Sequence, residues 1–264
     1  MVRVTFIGTG SAFAVGRRTN IALLVQEDDT SLVLECGPTI LQQLERVGAT
    51  AAQVDHLFIS HRHGDHILGL PMFLLMRYMG GTSAGPLTIL GSEDTLQAGQ
   101  ELTRIVYPEM LDRLGSVTWV DMPSDRPTRK ELGSIELATF PMPHSPEVSV
   151  LALRLDFHKS GRSLVYTGDT TYHKDVVDFA ADCDLLVHET NFSQTLHPDL
   201  TASDYGHSTA HEAGLIAAQA CCRLLALVHL SPTCDGREDQ VRAEAAREFD
   251  GPIIVPTDGS TLYL

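Results

Sequence analysis

Short apolar segments recur along the whole chain and are separated by polar turns that carry glycine, proline or acidic residues. Residues 2–7, 20–25 and 31–34 are rich in β-branched and aromatic side chains, and they predict an antiparallel meander at the start of the chain. The same pattern predicts further strands at residues 54–59, 87–90, 117–120, 134–140, 148–157, 163–167, 185–188, 226–229, 253–255 and 261–264.

Helical periodicity alternates with these strands. It predicts helices at residues 39–47, 67–79, 93–106, 174–181, 209–220 and 238–248, and Ser92 is the expected N-cap of the third. Met72, Met76 and Met79 are expected to lie in the core. Residues 121–130 are expected to form a surface loop, and residues 191–205 a loop that covers the functional pocket.

The distribution of strands and helices predicts one fold class. Strands cluster in both halves of the chain with helices interspersed, and no internal repeat is visible. This arrangement favours an α/β (α+β) protein with two packed sheets and helices outside, rather than a strictly alternating parallel sheet. We expect residues 1–264 to form a single domain.

Composition describes an ordinary globular chain, with 43% apolar and 20% charged residues. Five cysteines, an odd number without C-x-x-C spacing, indicate a reducing compartment. Cys183, Cys221 and Cys222 are expected to fill the core. No apolar run is long enough to span a membrane, and the chain opens on a strand instead of a leader, so a cytoplasmic protein without a membrane partner is expected.

The net charge is −15. Repulsion at this level disfavours nucleic acid as a partner and favours a small substrate.

The densest polar pattern is His61-Arg62-His63-Gly64-Asp65-His66, directly after a predicted strand. A strand that ends in a tight turn can aim alternate side chains at one point, so His61 and His63 are expected to lie together. Asp65 and His66 can face a second point nearby. Imidazole nitrogens with a carboxylate oxygen suit zinc or other first-row divalent ions.

Four further polar residues stand where apolar strands stop: His144, Asp169, Glu189 and His229. Strand ends on one edge of a sheet converge in space, so these side chains are expected near the histidine turn.

The sequence resembles the metallo-β-lactamase superfamily and, within it, the ribonuclease Z-like phosphodiesterase branch. The motifs that carry the resemblance are Phe6-Ile7-Gly8-Thr9-Gly10-Ser11, Glu35-Cys36-Gly37, His61-x-His63-x-Asp65-His66, His144, Gly168-Asp169-Thr170, His188-Glu189-Thr190, Gly206-His207-Ser208-Thr209-Ala210 and His229. The resemblance implies a four-layer αββα sandwich with two metal ions at one edge of the sheets.

The resemblance also implies a set of ligands for two Zn²⁺ ions, with Mn²⁺ or Fe as alternatives. His61, His63 and His144 would hold the first ion, Asp65, His66 and His229 the second, and Asp169 would bridge them. A water shared by such a pair has a lowered pKa and supplies hydroxide for attack on phosphorus. Asp65, His207 and Glu189 are the implied catalytic residues, with His207 protonating the leaving oxygen and Glu189 paired with it. The roles of His188 and His211 stay open.

Two departures from the family pattern bear on the substrate. Members that process transfer-RNA precursors carry a protruding arm between the equivalents of His144 and Asp169, whereas here short strands and a turn fill that interval. The usual Asp-Cys-Gly-Glu is Glu35-Cys36-Gly37-Pro38. Both departures favour a small nucleotide-type phosphodiester, such as a cyclic nucleotide, over a transfer-RNA precursor.

Two other interpretations of the metal site remain open. The same metal site could serve a lactonase, a sulfatase or another acyl or ester hydrolase. A binding scaffold that keeps metal only for structure is the non-enzymatic alternative. A homodimer is also left open, since the segment from Ile67 to Met79 could supply an apolar face.

Overall fold

The computed structural model describes residues 1–81 and 84–264 and contains two β-sheets of seven strands each. The strands are Val2–Gly8 (β1), Ala22–Glu27 (β2), Thr30–Leu34 (β3), His56–Phe58 (β4), Leu87–Gly91 (β5), Val117–Asp121 (β6), Thr128–Leu132 (β7), Ile135–Ser145 (β8), Val148–Phe157 (β9), Arg162–Tyr166 (β10), Leu185–Glu189 (β11), Leu225–Val228 (β12), Ile253–Ile254 (β13) and Ser260–Tyr263 (β14). The first sheet has the order β14-β1-β2-β3-β4-β5-β6, and the second has the order β13-β12-β11-β10-β9-β8-β7.

Helices cover the outer faces of both sheets. They are Ile40–Arg46 (α1), Gly64–Ile67 (α2), Leu70–Met79 (α3), Glu93–Val106 (α4), Met110–Arg113 (α5), Asp175–Phe179 (α6), Ala210–Gln219 (α7) and Glu238–Ala245 (α8), with 3₁₀ turns at Ala51–Gln53 and Ala202–Tyr205. Ser92 caps α4 as expected, since its side chain accepts a hydrogen bond from the Thr95 amide.

Three apolar clusters hold these layers together. Alternate residues of facing strands, such as Phe6, Leu23 and Tyr166, form a core between the two sheets. A second cluster lies between the second sheet and α6, α7 and α8, and a third lies between the first sheet and α1, α3 and α4. The predicted αββα sandwich is therefore confirmed.

Parallel pairing determines where the strand ends meet. Strands β3 to β6 are parallel neighbours in the first sheet, and β10 to β13 are parallel neighbours in the second. Their carboxyl ends lie along one edge of the sandwich, and the loops that leave this edge carry the candidate functional residues.

The predicted helix at residues 67–79 is wrong in its first part. A short helix, α2, already begins at Gly64 within the histidine turn, and the chain then turns at Leu68 and Gly69 before α3. The Gly69 amide donates to the Cys36 carbonyl at 2.9 Å, and a Cβ on Gly69 would lie 2.1 Å from the Gly37 oxygen. This close backbone approach interrupts the helix and requires glycine.

Other boundaries were also predicted wrongly. The expected surface loop at residues 121–130 contains the start of β7, an edge strand whose mostly exposed polar residues give no apolar signal. Helix α5 was not predicted, and β8 continues to Ser145, so His144 lies inside a strand.

Two expectations about burial are corrected. Met72, Met76 and Met79 are exposed on the outer side of α3, because Leu70, Phe73 and Leu74 occupy its buried side. Cys221 is also exposed, in a turn with φ +53°, whereas its neighbour Cys222 and Cys183 are buried as expected.

Among the helices of residues 1–81 and 84–264, none is long and apolar enough to cross a lipid bilayer.

A buried carboxylate fixes the segment that follows β11. Glu244 on α8 accepts hydrogen bonds from the Ser193 hydroxyl at 2.6 Å and from the amides of Gln194, Thr195 and His211 at 2.9, 2.9 and 3.1 Å. Burial opposes its ionisation, but the hydrogen bonds from Ser193, Thr195 and Gln194 outweigh burial and lower the pKa of Glu244.

We expect Glu244→Gln to lower the free energy of unfolding by about 2 kcal/mol, because the amide leaves buried donors without a charged acceptor. The folded-state pKa lies below the unfolded value, so the difference from wild type is full above about pH 4.3 and shrinks as pH falls through the folded pKa. Urea unfolding at pH 7 and pH 4 measures both. Glu248→Gln, an exposed carboxylate in the segment that follows α8, is the control. An unfolding energy equal to wild type would contradict the assignment.

Candidate metal centre

The histidine turn supplies four side chains to one buried space. β4 ends at Phe58, and the chain then passes through His61 and His63 into α2, which carries Asp65 and His66. His61 and His66 are fully buried. Their rings lie 4.1 Å apart, so the turn folds back on itself.

The other predicted side chains reach this space from the second sheet. His144 comes from the end of β8, Asp169 follows β10, and His229 follows β12. His61, His63 and His144 form one group whose nitrogens lie within 4.8 Å of one another. Asp65, His66, Asp169 and His229 form a second group with the same spacing. The structure therefore brings together all seven residues that the sequence nominated as ligands.

In the first group, two imidazole nitrogens face each other. His144 Nδ1 donates to the Gly206 carbonyl at 2.6 Å, which leaves Nε2 as an acceptor, and that atom lies 3.1 Å from His63 Nδ1. His61 is oriented by a contact of 2.9 Å between its Nδ1 and the Ser60 hydroxyl, and its Nε2 is buried without a partner. Converging acceptor nitrogens of this kind fit a cation.

In the second group, carboxylates and imidazoles alternate. His66 Nε2 lies 3.2 Å from Asp65 Oδ2 and 3.4 Å from Asp169 Oδ2, and His229 Nε2 lies 3.3 and 3.4 Å from the same two oxygens. Asp169 also lies 3.9 Å from His61 Nε2, so it stands between the two groups. The remaining oxygen of Asp169 is buried without a partner.

Burial and charge act on these groups in opposite directions. Burial and the neighbouring His66 lower the pKa of His61. Burial also opposes protonation of His66, but Asp65, Asp169 and Glu35 outweigh it and raise the pKa of that ring. Burial opposes ionisation of Asp169, yet His229 and His66 hold its pKa well below the usual range. The cluster therefore keeps its carboxylates charged, as metal ligands must be.

The sequence also drew attention to Glu35, and the structure shows what it contacts. Its Oε2 lies 3.2 Å from His66 Nδ1 and accepts from the Ser60 amide at 3.2 Å. A carboxylate behind a histidine ligand orients the ring and raises its basicity. The longer side chain of Glu35 thus still reaches the ring, from a backbone with φ +71°.

A second carboxylate, Glu189 at the end of β11, is fully buried and accepts four hydrogen bonds. Oε1 accepts from His207 Nδ1 at 3.0 Å and from the amides of Thr170 and Ser208 at 3.2 and 2.9 Å, and Oε2 accepts from the Asn191 amide at 2.9 Å. Burial lowers the pKa of His207, but Glu189 outweighs it and the pKa rises to about 9.

His207 lies against the cluster, with its ring 5.0 Å from that of His144 and 5.4 Å from that of His229. The two histidines left open by the sequence lie elsewhere. His188 Nδ1 donates to the Glu189 carbonyl, and His211 contacts Glu248 on α8. Neither belongs to a potential metal-binding group in the part of the chain that the structure describes.

Sequence reasoning missed two contributors. The Gly206 carbonyl that orients His144 carries no side-chain signal. Phe192, 6.0 Å from the ring of His207, was assigned only to a covering loop. The positions of the Gly206 carbonyl and the Phe192 ring depend on the path of residues 191–207 back to the strand ends. The hydrophobic periodicity of the sequence does not predict that path.

Comparisons with known proteins place the chain among related sequences and structures. Residues 2–203 match the family described as anti-Pycsar protein Apyc1. A protein named ribonuclease Z from Halorubrum lacusprofundi is 34% identical over an alignment that covers 99% of this chain and 96% of the relative. The crystal structure of YhfI, a metallo-β-lactamase fold protein from Bacillus subtilis, is 27% identical, covers 99% of this chain and 98% of its own, and superposes with a TM-score of 0.83. The crystal structure of the short form of human tRNase Z is 20% identical and shares the fold, with a TM-score of 0.79. The superposition covers 99% of this chain and 98% of that chain.

We expect the protein, loaded with zinc and desalted, to retain about two metal ions per chain. Asp169→Asn should lose at least one of them, because Asp169 contacts histidines of both groups. Elemental analysis of the purified variants measures this without reference to activity. Asp175→Asn, an exposed carboxylate at the start of α6, is the control and should retain the wild-type content. Equal metal content in Asp169→Asn and wild type would refute the assignment of a shared ligand.

Proposed function

We propose that this chain, which belongs to the family described as anti-Pycsar protein Apyc1 and to the ribonuclease Z-like branch of the metallo-β-lactamase superfamily, hydrolyses a small nucleotide-type phosphodiester. It is a metal-dependent hydrolase. We further propose that it binds two zinc ions through seven ligands and that it prefers a small substrate.

One observation carries the proposal. The hydrogen-bonded pair of His207 and Glu189 lies directly beside a buried cluster of histidine and aspartate side chains that could bind metal ions. His61, His63 and His144 would hold one Zn²⁺, and Asp65, His66 and His229 the other, with Asp169 shared. Mn²⁺ or Fe would suit the same donors. A bound pair of this kind activates water at neutral pH and neutralises charge on the phosphoryl oxygens.

The chain's own residues then manage the proton of the leaving group. Glu189 accepts from His207 Nδ1, which leaves Nε2 as the atom that can donate toward the cluster. Glu189 raises the pKa of His207 to about 9, which favours the ring that carries both protons. We assign it as the general acid that protonates the departing alkoxide, with Glu189 holding the ring in place. Asp65 would act as a ligand beside His66 and His229, whose Nε2 atoms lie 3.2 and 3.3 Å from its Oδ2.

The absence of an arm supports a small substrate. Within the described residues, the interval from His144 to Asp169 contains the end of β8, β9, β10 and the turn between them. The alignment with the Halorubrum relative runs over 304 positions, whereas this chain has 264 residues, so at least 40 positions have no counterpart here. The net charge of −15 opposes a long polyanion, and a cyclic nucleotide remains the favoured class.

A homodimer and a cytoplasmic location stay predictions. The exposed side of α3, with Met72, Met76 and Met79, is the apolar face that a second copy would cover. Sedimentation of the metal-loaded protein measures the oligomeric state.

We expect the zinc-loaded protein to hydrolyse cyclic nucleotides faster than precursor transfer RNA, a lactone or an aryl sulfate, and to cleave bis(p-nitrophenyl) phosphate as well. A chelator and Asp65→Ala should each reduce these activities to background, because both remove the metal centre. Steady-state assays over the substrate panel measure the order, with Asp175→Ala as the control that keeps wild-type rates.

Turnover of the lactone or sulfate alone would favour the acyl or sulfate-ester hydrolase, and faster cleavage of precursor transfer RNA would replace the small substrate. Full metal content without turnover of any substrate would favour the structural scaffold.

His207→Ala should distinguish among leaving groups. We expect the turnover number on a cyclic nucleotide to fall by about 10² to 10⁴, since an alkoxide needs protonation to depart. On bis(p-nitrophenyl) phosphate the change should be small, because p-nitrophenolate leaves unaided. Measured kcat values of wild type and His207→Ala on both substrates test whether His207 protonates the leaving group. The metal content of each protein is measured alongside. An equal loss on both would assign His207 to the integrity of the centre instead of to proton transfer.

A further inference from the structure

An exposed aromatic ring stands at the edge of the candidate metal centre. Tyr205 ends the 3₁₀ turn Ala202–Tyr205 and is 63% exposed. The next two residues belong to the centre, because the Gly206 carbonyl accepts from His144 and His207 pairs with Glu189. Tyr205 is therefore held close to the proposed acid, while its ring faces solvent.

The backbone that carries Tyr205 has little freedom. Gly206 adopts φ +76°, and a Cβ at this position would lie 2.4 Å from the His144 carbonyl oxygen. The His207 amide also donates to the Ala202 carbonyl at 3.2 Å, which closes the turn. The direction of the Tyr205 side chain is thus tied to the position of His144.

A second ring supports Tyr205 from behind. The Phe192 ring lies 5.7 Å from that of Tyr205 at an angle of 55°, and 6.0 Å from that of His207. Phe192 is itself fixed, since its amide donates to the Ser208 carbonyl at 3.2 Å and its carbonyl accepts from the Ala210 amide at 3.1 Å. Tyr205, Phe192 and His207 form a row of rings that runs from solvent to the cluster.

A cation next to the cluster, Arg62, already has partners. Arg62, between His61 and His63, contacts both oxygens of Asp94 through Nε at 3.0 and 2.8 Å and donates to the Glu147 carbonyl at 2.8 Å. Arg62 is therefore not available to bind a phosphate group of the substrate. A planar apolar surface is what Tyr205 offers.

We propose that Tyr205, backed by Phe192, is the stacking surface for the nucleobase of a mononucleotide phosphodiester whose phosphate lies at the metal centre. This inference rests on the proposed function and adds the part of the substrate that determines affinity. Stacking on a ring tolerates every base, because each base has a π-face. Both purine and pyrimidine nucleotides are therefore substrates, and the contact affects KM more than kcat.

Phe13 is the competing surface. It is 70% exposed on the loop after β1, and that loop is anchored where the Ser11 amide donates to the Leu230 carbonyl, directly after His229. Among the ring contacts of the described residues, Phe13 has none, whereas Tyr205 has Phe192. A supported ring loses less freedom when a base stacks on it, which favours Tyr205.

Steady-state kinetics on the zinc-loaded protein test the proposal with two matched substrates, adenosine 3′,5′-cyclic phosphate and the same cyclic phosphate of 1-O-methyl ribose, which has no base. Tyr205→Ala should raise KM for the nucleotide roughly tenfold, the scale of one lost base–aromatic stack, with kcat nearly unchanged. It should leave kcat/KM for the abasic compound unchanged. Tyr205→Phe should retain wild-type constants. Tyr263→Ala is the matched control, because Tyr263 is 61% exposed on the edge strand β14, paired with Arg3 at the start of β1.

Equal losses on both substrates, an unchanged KM, or a base-dependent loss in Phe13→Ala instead of Tyr205→Ala would each overturn the proposal. Failure of the proposed function would appear differently, as metal-replete wild type that hydrolyses neither compound. In that event calorimetry with adenosine 5′-monophosphate and ribose 5-phosphate decides. Tighter binding of the nucleotide that Tyr205→Ala removes supports the subsite, and equal binding of the two ligands overturns it.

Discussion

The structure depends on a set of buried nitrogen and oxygen atoms that face one another and could bind a metal ion. His61 Nε2 and one oxygen of Asp169 are buried and have no hydrogen-bond partner among the described residues. Isolating such atoms from water costs several kcal/mol each unless a charge of opposite sign compensates. The outward-facing nitrogens of two histidines in the cluster are anchored, that of His61 by the Ser60 hydroxyl and that of His144 by the Gly206 carbonyl. Anchored rings whose inward-facing nitrogens converge on one space are what a cation site requires.

Backbone strain accompanies the same cluster. Glu35 and His229 adopt positive φ values of 71° and 57°, which cost roughly 1–3 kcal/mol for residues other than glycine. Each conformation aims a side chain that the strand direction alone would not deliver. Glu35 turns to His66, and its amide is held by the Phe58 carbonyl at 2.8 Å. His229 turns to Asp65 and Asp169 directly after β12, and Leu230 then bridges to Gly10. The packed sheets hold both conformations in place.

Much of this could be predicted from the sequence, because the signals are local. The spacing from His61 to His66 and the polar residues at strand ends place the ligands together once strands are recognised, and the αββα fold followed from the family motifs. The failures concern features that only the assembled chain determines. Gly69 interrupts a helix because Gly37 approaches it in space, and β7 is polar because it lies at an edge. Met72 and its neighbours look like core residues in a helical pattern, yet α3 buries its opposite side. The row from Tyr205 to His207 joins positions that no periodicity connects.

The short interval between His144 and Asp169 links recognition to the fold. The turn between β9 and β10 closes tightly, with the Gly161 amide bonded to the Phe157 carbonyl at 2.8 Å and φ +64° at Gly161. Lys159 in this turn contacts Asp28 in the turn between β2 and β3 at 2.7 Å, so the two turns lie together. Under the proposed function, a chain without an arm recognises its substrate with groups at the edge of the metal centre itself. The segment from Asn191 to His207 lies at that edge and is fixed to Glu189 and, through Glu244, to α8. The proposed stacking surface and the proposed general acid therefore lie in one continuous stretch of chain, in which Tyr205 affects KM and His207 affects kcat.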